Sequence, residues 1–316
     1  MSPAFALPKI EIEHSVVGDN VWLHDRTTDA EQELMACARH ELNYEVLESE
    51  EAVGQAMFAE LASAADATSS ELTVVILGGR GGQALHRLLG EKARTSEIDE
   101  LLARLNVFTQ DALAPMRMDN AFSFVRDFER LLGPAFFEKV KRFTSMKTDA
   151  EDLETGVVKF LAQLDSCGPI DIFFLGLGPE AEGASHLAYI KPGSGARAND
   201  IAGVIPISPD ILEHHIRKFK VGGAATNEAD EAECRRASHI LTLGPAAILR
   251  ARRIVQSIVD AGTAPGKVAS FERLIKTEIS NDAAARAQQL DQNPGLWIRL
   301  NPNVRSLILP DVLGAK

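Results

Sequence analysis

Three short apolar runs in this 316-residue chain stop on glycine, and that recurrence limits the folds open to it. Residues 72–77 (LTVVIL) run into Gly78-Gly79-Arg80-Gly81-Gly82, residues 172–177 are broken by Gly176 and closed by Gly178-Pro179, and residues 239–243 stop at Gly244. Each run has the length of a buried strand, and glycine marks where the backbone turns out of it. The stretches beside them carry apolar residues at helical spacing: Val53, Met57, Leu61 and Ala64 in one, Ala84, Leu85, Leu88 and Leu89 in another. Strands alternating with helices predict a Rossmann-like, doubly wound α/β fold whose mostly parallel sheet has helices on both faces. Ligands in such folds bind in loops at the carboxyl ends of strands. The residues after each glycine stop are therefore the first place to look for chemistry.

Strand, glycine-rich turn and helix in that order expose backbone N–H groups and a helix N-terminus, which together suit an anion such as a phosphate. Gly78, Gly79, Arg80, Gly81 and Gly82 form that turn, although a tight turn needing positive φ would use the same glycines. Asp111 follows the strand NVFTQ and is a candidate base, a position that a turn or cap residue also fills. The loop after Gly178 collects Glu180, Glu182, Ser185, His186 and Lys191. The segment PDILEHHIRKF reads as a helix capped by Ser208 with Pro209 in its first turn, and its adjacent His214 and His215 point to different faces, which argues against a metal pair. Residues 222–238 read as a mobile loop or lid, and Lys267 opens a further helix.

Composition narrows the function. With 45% apolar and 25% charged residues the chain is an ordinary globular protein, and its net charge of −12 argues against a nucleic acid or an anionic membrane as partner. Cys37, Cys167 and Cys234 lack metal-ligand spacing and read as reduced thiols, no metal site is visible, and no apolar run approaches the ~20 residues of a membrane span. The start of the chain lacks signal-peptide features, so a cytoplasmic protein is expected. Residues 1–48 are read as an accessory segment, with strand-like alternation around residues 10–25 and helical spacing over 29–42, and residues 49–316 as the α/β domain. The segment could mediate assembly, so a homo-oligomer is compatible with the sequence.

Several motifs, in order, resemble the glucosamine-6-phosphate deaminase and 6-phosphogluconolactonase superfamily over roughly residues 49–309. ILGGRGGQALHRLL resembles its phosphate turn, NVFTQDA its strand followed by Asp-Glu, GLGPEAEGASHLAYIKPGS its histidine loop, and Leu300-Asn301-Pro302-Asn303 its closing Leu-His-Pro-Asn. The resemblance implies that Asp111 is the base moving a proton between C1 and C2 of an open-chain phosphosugar and that His186 helps to open the ring. It also implies that Arg217 and Lys267 bind the phosphate. The chain departs from the pattern at Ala112, where the family has glutamate, and at Lys191, which replaces the glutamate that orients the histidine in the deaminase branch. The loop is also about three residues longer than the pattern, and Glu180 or Glu182 could supply the missing acid. Aligned to the lactonase branch instead, the loop's histidine falls on Glu182. The expected ligand is a phosphorylated sugar, and the expected chemistry is aldose–ketose isomerisation, with ammonia loss if the substrate is an amino sugar. That route needs no cofactor. A phosphosugar lactonase and a non-catalytic sugar-phosphate sensor are the alternatives.

Overall fold

A computed structural model describes residues 11–25 and 41–314. The helical spacing over residues 29–42 and Cys37 lie almost wholly outside the described residues. Seven parallel strands form the main sheet in the order β3 (Tyr44–Val46), β14 (Val304–Ile308), β13 (Arg253–Ile258), β8 (Ile172–Leu175), β4 (Leu72–Ile76), β5 (Leu105–Thr109) and β7 (Arg142–Thr144). The central strands β4, β5 and β8 are buried along their whole length. Their continuous apolar sequence follows from having both faces covered.

Alternation sends neighbouring residues to different cores. Val74, Ile76 and Phe174 pack on one face with Met57, Leu85 and Phe128 of helices α1 (Glu50–Asp66), α2 (Arg80–Arg94) and α3 (Phe124–Lys139). Val75, Phe108 and Phe173 pack on the other with Leu161 and Phe271 of α4 (Leu153–Ser166) and α6 (Gly266–Lys276). Helix starts follow local chemistry. Ser49 accepts from the Ala52 amide at 3.1 Å, Asp152 from Thr155 at 3.2 Å, and Ser208 from Ile211 at 3.2 Å ahead of Pro209 in α5 (Pro209–Val221), as its sequence predicts. Gly133, at φ +71°, kinks α3 ahead of Pro134 and the helix then resumes.

The sheet is doubly wound as expected, and a second sheet accompanies it. In this antiparallel sheet β1 (Ile12–Val17), β2 (Asn20–Asp25), β11 (Asp200–Pro206), β12 (His239–Leu243) and β6 (Asp111–Ala114) lie in that order. The strands at GVIPIS and HILTLG thus leave the parallel sheet in which simple alternation places them, because apolar runs encode burial and not strand direction. Strands from the first 48 residues join both sheets: Trp22 is fully buried and its indole N–H donates to the Ser194 carbonyl at 2.9 Å, while β3 extends the parallel sheet. Residues 222–238, read from the sequence as a mobile loop or lid, contain a short helix (Glu228–Cys234) held by the Arg117 guanidinium at 2.7 Å from Asp230 and 2.8 Å from Glu233. Among the described residues no helix is long and apolar enough to cross a membrane, and no cluster of three metal-ligating side chains occurs.

Candidate active site

One cleft opens where the carboxyl ends of β4, β8 and β13 meet the start of β6 and α5. It is lined by Gly78, Gly79, Arg80, Gly81, Asp111 and His186 among others, and Lys267 also lines it. Residues more than 180 positions apart in sequence are thereby brought to one surface.

Asp111 is the first residue of β6, one position beyond the residue that links it to β5. It is 3% exposed; its Oδ2 accepts from the Gln110 side-chain amide at 2.7 Å, and Oδ1 has no partner. Burial in the cleft wall pushes its carboxyl up to about 7, against a smaller opposing effect of the Gln110 hydrogen bond.

His186 is set by a two-residue hairpin in which β9 (Gly178–Pro179) pairs with β10 (Ser185–His186), placing His186 opposite Gly178. The imidazole lies against that glycine so closely that a Cβ there would sit 1.7 Å from Nε2. Asn293 anchors the neighbouring Ser185 by accepting from its amide at 2.9 Å and its hydroxyl at 2.7 Å. The His186 Nδ1 is 2.6 Å from the Glu180 carboxylate, so Glu180 takes the orienting position that the sequence leaves open between two acids. Glu182 is exposed in a turn at φ +55°, outside the cleft, its carbonyl accepting from Arg273 at 3.0 Å. Lys191 does not contact the histidine; its ammonium donates to the Pro206 carbonyl at 2.6 Å.

The glycine turn combines close packing with an open helix N-terminus. Gly79 caps α2 at φ +74° with no side chain closing the helix N-terminus, while a Cβ on Gly78 would lie 2.2 Å from the Phe124 ring. Gly82 points away from the cleft, against the fully buried His86. Arg80 lines the cleft and is paired with Glu50.

Lysines from two helices complete the cationic part. Arg217 is exposed and does not line the cleft, its guanidinium lying 3.3 Å from His214 Nδ1; Lys218, one residue on, does line it. His214 and Lys218 are four residues apart and share a helical face, a periodic signal that the sequence contains. The Lys267 ammonium is 2.5 Å from Asp260 and 3.1 Å from the Val259 carbonyl, and Lys218 contacts the other oxygen of the same carboxylate. Burial pulls Lys218 down to about 7 and Lys267 to about 8. Burial, with Lys218 nearby, also takes His214 to about 3, so it lines the cleft as a neutral ring.

Tyr189 sits inside the histidine-loop motif, His215 is read from the sequence only as half of a rejected metal pair, and Asp260 lies in no motif, so none of the three is among the site residues expected from the sequence. Tyr189 stacks on His186 with ring centroids 5.2 Å apart and planes at 21°. It belongs to a tight turn with Ala188, both residues at positive φ, and its hydroxyl lies 3.2 Å from His215 Nδ1. Because His215 Nε2 lies 2.8 Å from the Phe122 carbonyl, the proton resides on Nε2 and Nδ1 accepts from the tyrosine. Asn301, from the closing motif, is outside the cleft and clamps the Leu249 and Ala251 carbonyls at 3.1 Å each.

No family model matches the chain. A curated glucosamine-6-phosphate deaminase from Staphylococcus epidermidis is 26% identical over 149 residues, 47% of this chain and 53% of that protein. The match therefore spans about half the length of this relative. A solved monomeric glucosamine-6-phosphate deaminase superposes with a TM-score of 0.64 at 18% identity, covering 87% of this chain and 100% of the other. The 6-phosphogluconolactonase of Trypanosoma brucei gives 0.59 at 16% identity, with 87% and 98% covered. That of Thermotoga maritima gives 0.58 at 15%, with 85% and 99% covered. At these identities the superpositions establish the fold. By fold the chain is similar to the glucosamine-6-phosphate deaminases and 6-phosphogluconolactonases, and the motifs described above lie along it in the order that this resemblance requires.

Proposed function

We propose that the cleft binds a phosphorylated sugar and interconverts its aldose and ketose forms by proton transfer through an enediol. The observation that carries this reading is Asp111: a buried carboxylate in the cleft with one oxygen held by Gln110 and the other without a partner. A carboxylate so placed suits removal of a carbon-bound proton at C2 and its return at C1, because its raised pKa matches the base to neutral solution. His186, oriented by Glu180, would take the proton of the anomeric hydroxyl and deliver one to the ring oxygen. Lys218, Lys267, Arg80 and the N-terminal amides of α2 would hold the phosphate and so fix the reacting carbons. With an amino group on C2, the same proton transfer gives a ketimine that water hydrolyses with release of ammonia.

A second reading is hydrolysis of a phosphosugar lactone, favoured by the His186–Glu180 pair at 2.6 Å, which is built to activate a water molecule. The non-catalytic alternative loses its main motive, since Glu180 supplies the acid that the motif lacks. Proton NMR in D2O with glucosamine 6-phosphate, glucose 6-phosphate and 6-phosphogluconolactone separates the readings. Deuterium at C1 or C2 is expected, at a rate that rises with pH through about 7 as Asp111 ionises; ammonium marks deamination. Rapid lactone loss without exchange would make the hydrolytic reading the correct one. Inertness towards all three would sink both.

A further inference from the structure

Asp260 is an acid in the part of the cleft where an anion is to bind. It lies just beyond β13 at φ +64°, in the left-handed region that favours glycine. Its carbonyl accepts from the Thr263 and Ala264 amides at 3.0 and 2.9 Å, which holds the turn. The side chain is 2% exposed and gives one oxygen to each lysine: Oδ1 is 2.5 Å from Lys267 Nζ, and Oδ2 contacts Lys218 Nζ. Lys267 also donates to Val259, and Lys218 to the Thr263 hydroxyl at 3.4 Å. An ammonium has three donors, so each lysine keeps one N–H in hand.

We propose that Asp260 is a built-in counter-ion that holds Lys218 and Lys267 as an ammonium pair in the ligand-free cleft, so that a single phosphate monoester joins the trio instead of displacing a member of it. The inference rests on the phosphate-binding reading above and says what that site selects. Arg80 is balanced by Glu50, leaving two lysines and one carboxylate with a net charge of +1. Three phosphate oxygens can take the spare N–H of both lysines and the open amides of α2. A diphosphate would bring further negative charge against Asp260 with no cation left to meet it. The other charged or titratable groups near the trio are the Arg80–Glu50 pair, His214 and the exposed Arg217 from α5, Asp311 beside Lys267, and, across His214, His186. Burial works against both ammoniums, and Asp260 is the carboxylate in direct contact with both of them to oppose it.

The test is calorimetric titration of the full chain and of Asp260→Asn with sulfate, a tetrahedral dianion that does not titrate in this range, and with inorganic phosphate and pyrophosphate, from pH 6 to 9. The parent is expected to bind sulfate and phosphate and to lose both as pH rises through the lysine values. In the variant that loss should come at least about one pH unit lower, which is about tenfold weaker binding at pH 8, and its discrimination against pyrophosphate at pH 6 should shrink. Parallel pH profiles in the two proteins would overturn the counter-ion role. Absence of sulfate and phosphate binding by the parent at every pH would instead overturn the phosphate reading itself. Asp260→Ser is read in the same way should the asparagine variant not fold. If neither folds alone, refolding in sulfate supports the proposal, and failure of sulfate to rescue either one counts against it.

Discussion

Asp111 and Asp260 are both buried aspartates lining the same cleft, yet their surroundings are opposite. Asp111 meets an amide on one oxygen and nothing on the other, whereas Asp260 has a lysine on each. A buried acceptor without a partner costs about 1–3 kcal/mol, so folding alone gives no reason to keep one. Asp260 is stabilised by its neighbours and has nothing left to offer except through them. The first arrangement suits reactivity and the second binding, and the contrast yields tests in which the two should respond in different directions.

Asp111→Asn has the largest expected effect. Turnover should fall by about 10²–10⁴-fold with anion binding retained. Stability should move the other way. Burial raises the carboxyl from 3.8 to about 7, so the folded protein binds a proton that the unfolded chain has released, and Asp111 destabilises the fold increasingly as pH rises between those values. The unfolding free energy of the variant relative to the parent, measured by denaturant titration, should therefore improve from pH 4 to pH 8 by an amount on the order of a few kcal/mol. A difference independent of pH would show that the carboxyl is not held neutral by burial.

Next come the paired acids of the histidine loop. Glu180→Gln should cost about tenfold or more in kcat with little change in KM, because the carboxylate on Nδ1 fixes the imidazole. Glu182→Gln should leave both constants near the parent's; equal losses in the two variants would mean that the hairpin geometry is not that of the working enzyme. At the cationic cluster, Lys218→Met should weaken sulfate binding by about tenfold or more, the worth of a charge-assisted hydrogen bond. Arg217→Met is the control, expected to change it less than about threefold because the exposed guanidinium is screened. Tyr189→Phe has the smallest expected effect. It keeps the ring stacked on His186 and removes only the bond to His215, so a few-fold fall in kcat is expected. Tyr189→Leu, which removes the ring, should fall further, and identical kinetics for the two would exclude the stack as a positioning device.

Much of this site was legible because strand ends carry their own punctuation. Gly78 to Gly81, Asp111 and His186 each follow an apolar run that stops abruptly, and parallel strands deliver their carboxyl ends to one edge. Lys267 is pointed to by the family resemblance, and the structure places it in the cleft. Arg217 was the natural choice by motif, and the one-residue displacement to Lys218 is a matter of helical phase: Ile211, His215 and Phe219 are buried, which rotates residue 217 outward. Choosing Glu180 over Glu182 required the hairpin that pairs Gly178 with His186, and no periodicity encodes a two-residue hairpin. Asp260 left no trace at all, since its role arises from a backbone turn and from lysines 42 and 7 residues away. The antiparallel sheet was hidden for a similar reason, as burial patterns carry no information about which way a strand runs.

Between β5 and β6 there is a single residue, Gln110, whose amide also bonds to Asp111. The chain passes there from one sheet to the other. The glycine turn proposed to seat the phosphate follows a strand of the parallel sheet, and Asp111, proposed as the base, begins a strand of the antiparallel one, so that linker acts as the fulcrum of a short lever. A small tilt of the second sheet, including one transmitted from the N-terminal hairpin at its far edge, would change the distance between the anchored end of a sugar and the carboxylate that must reach its carbon. On the proposed function, substrate length and sheet orientation are thus one variable, and changes remote from the cleft would alter which sugar fits it.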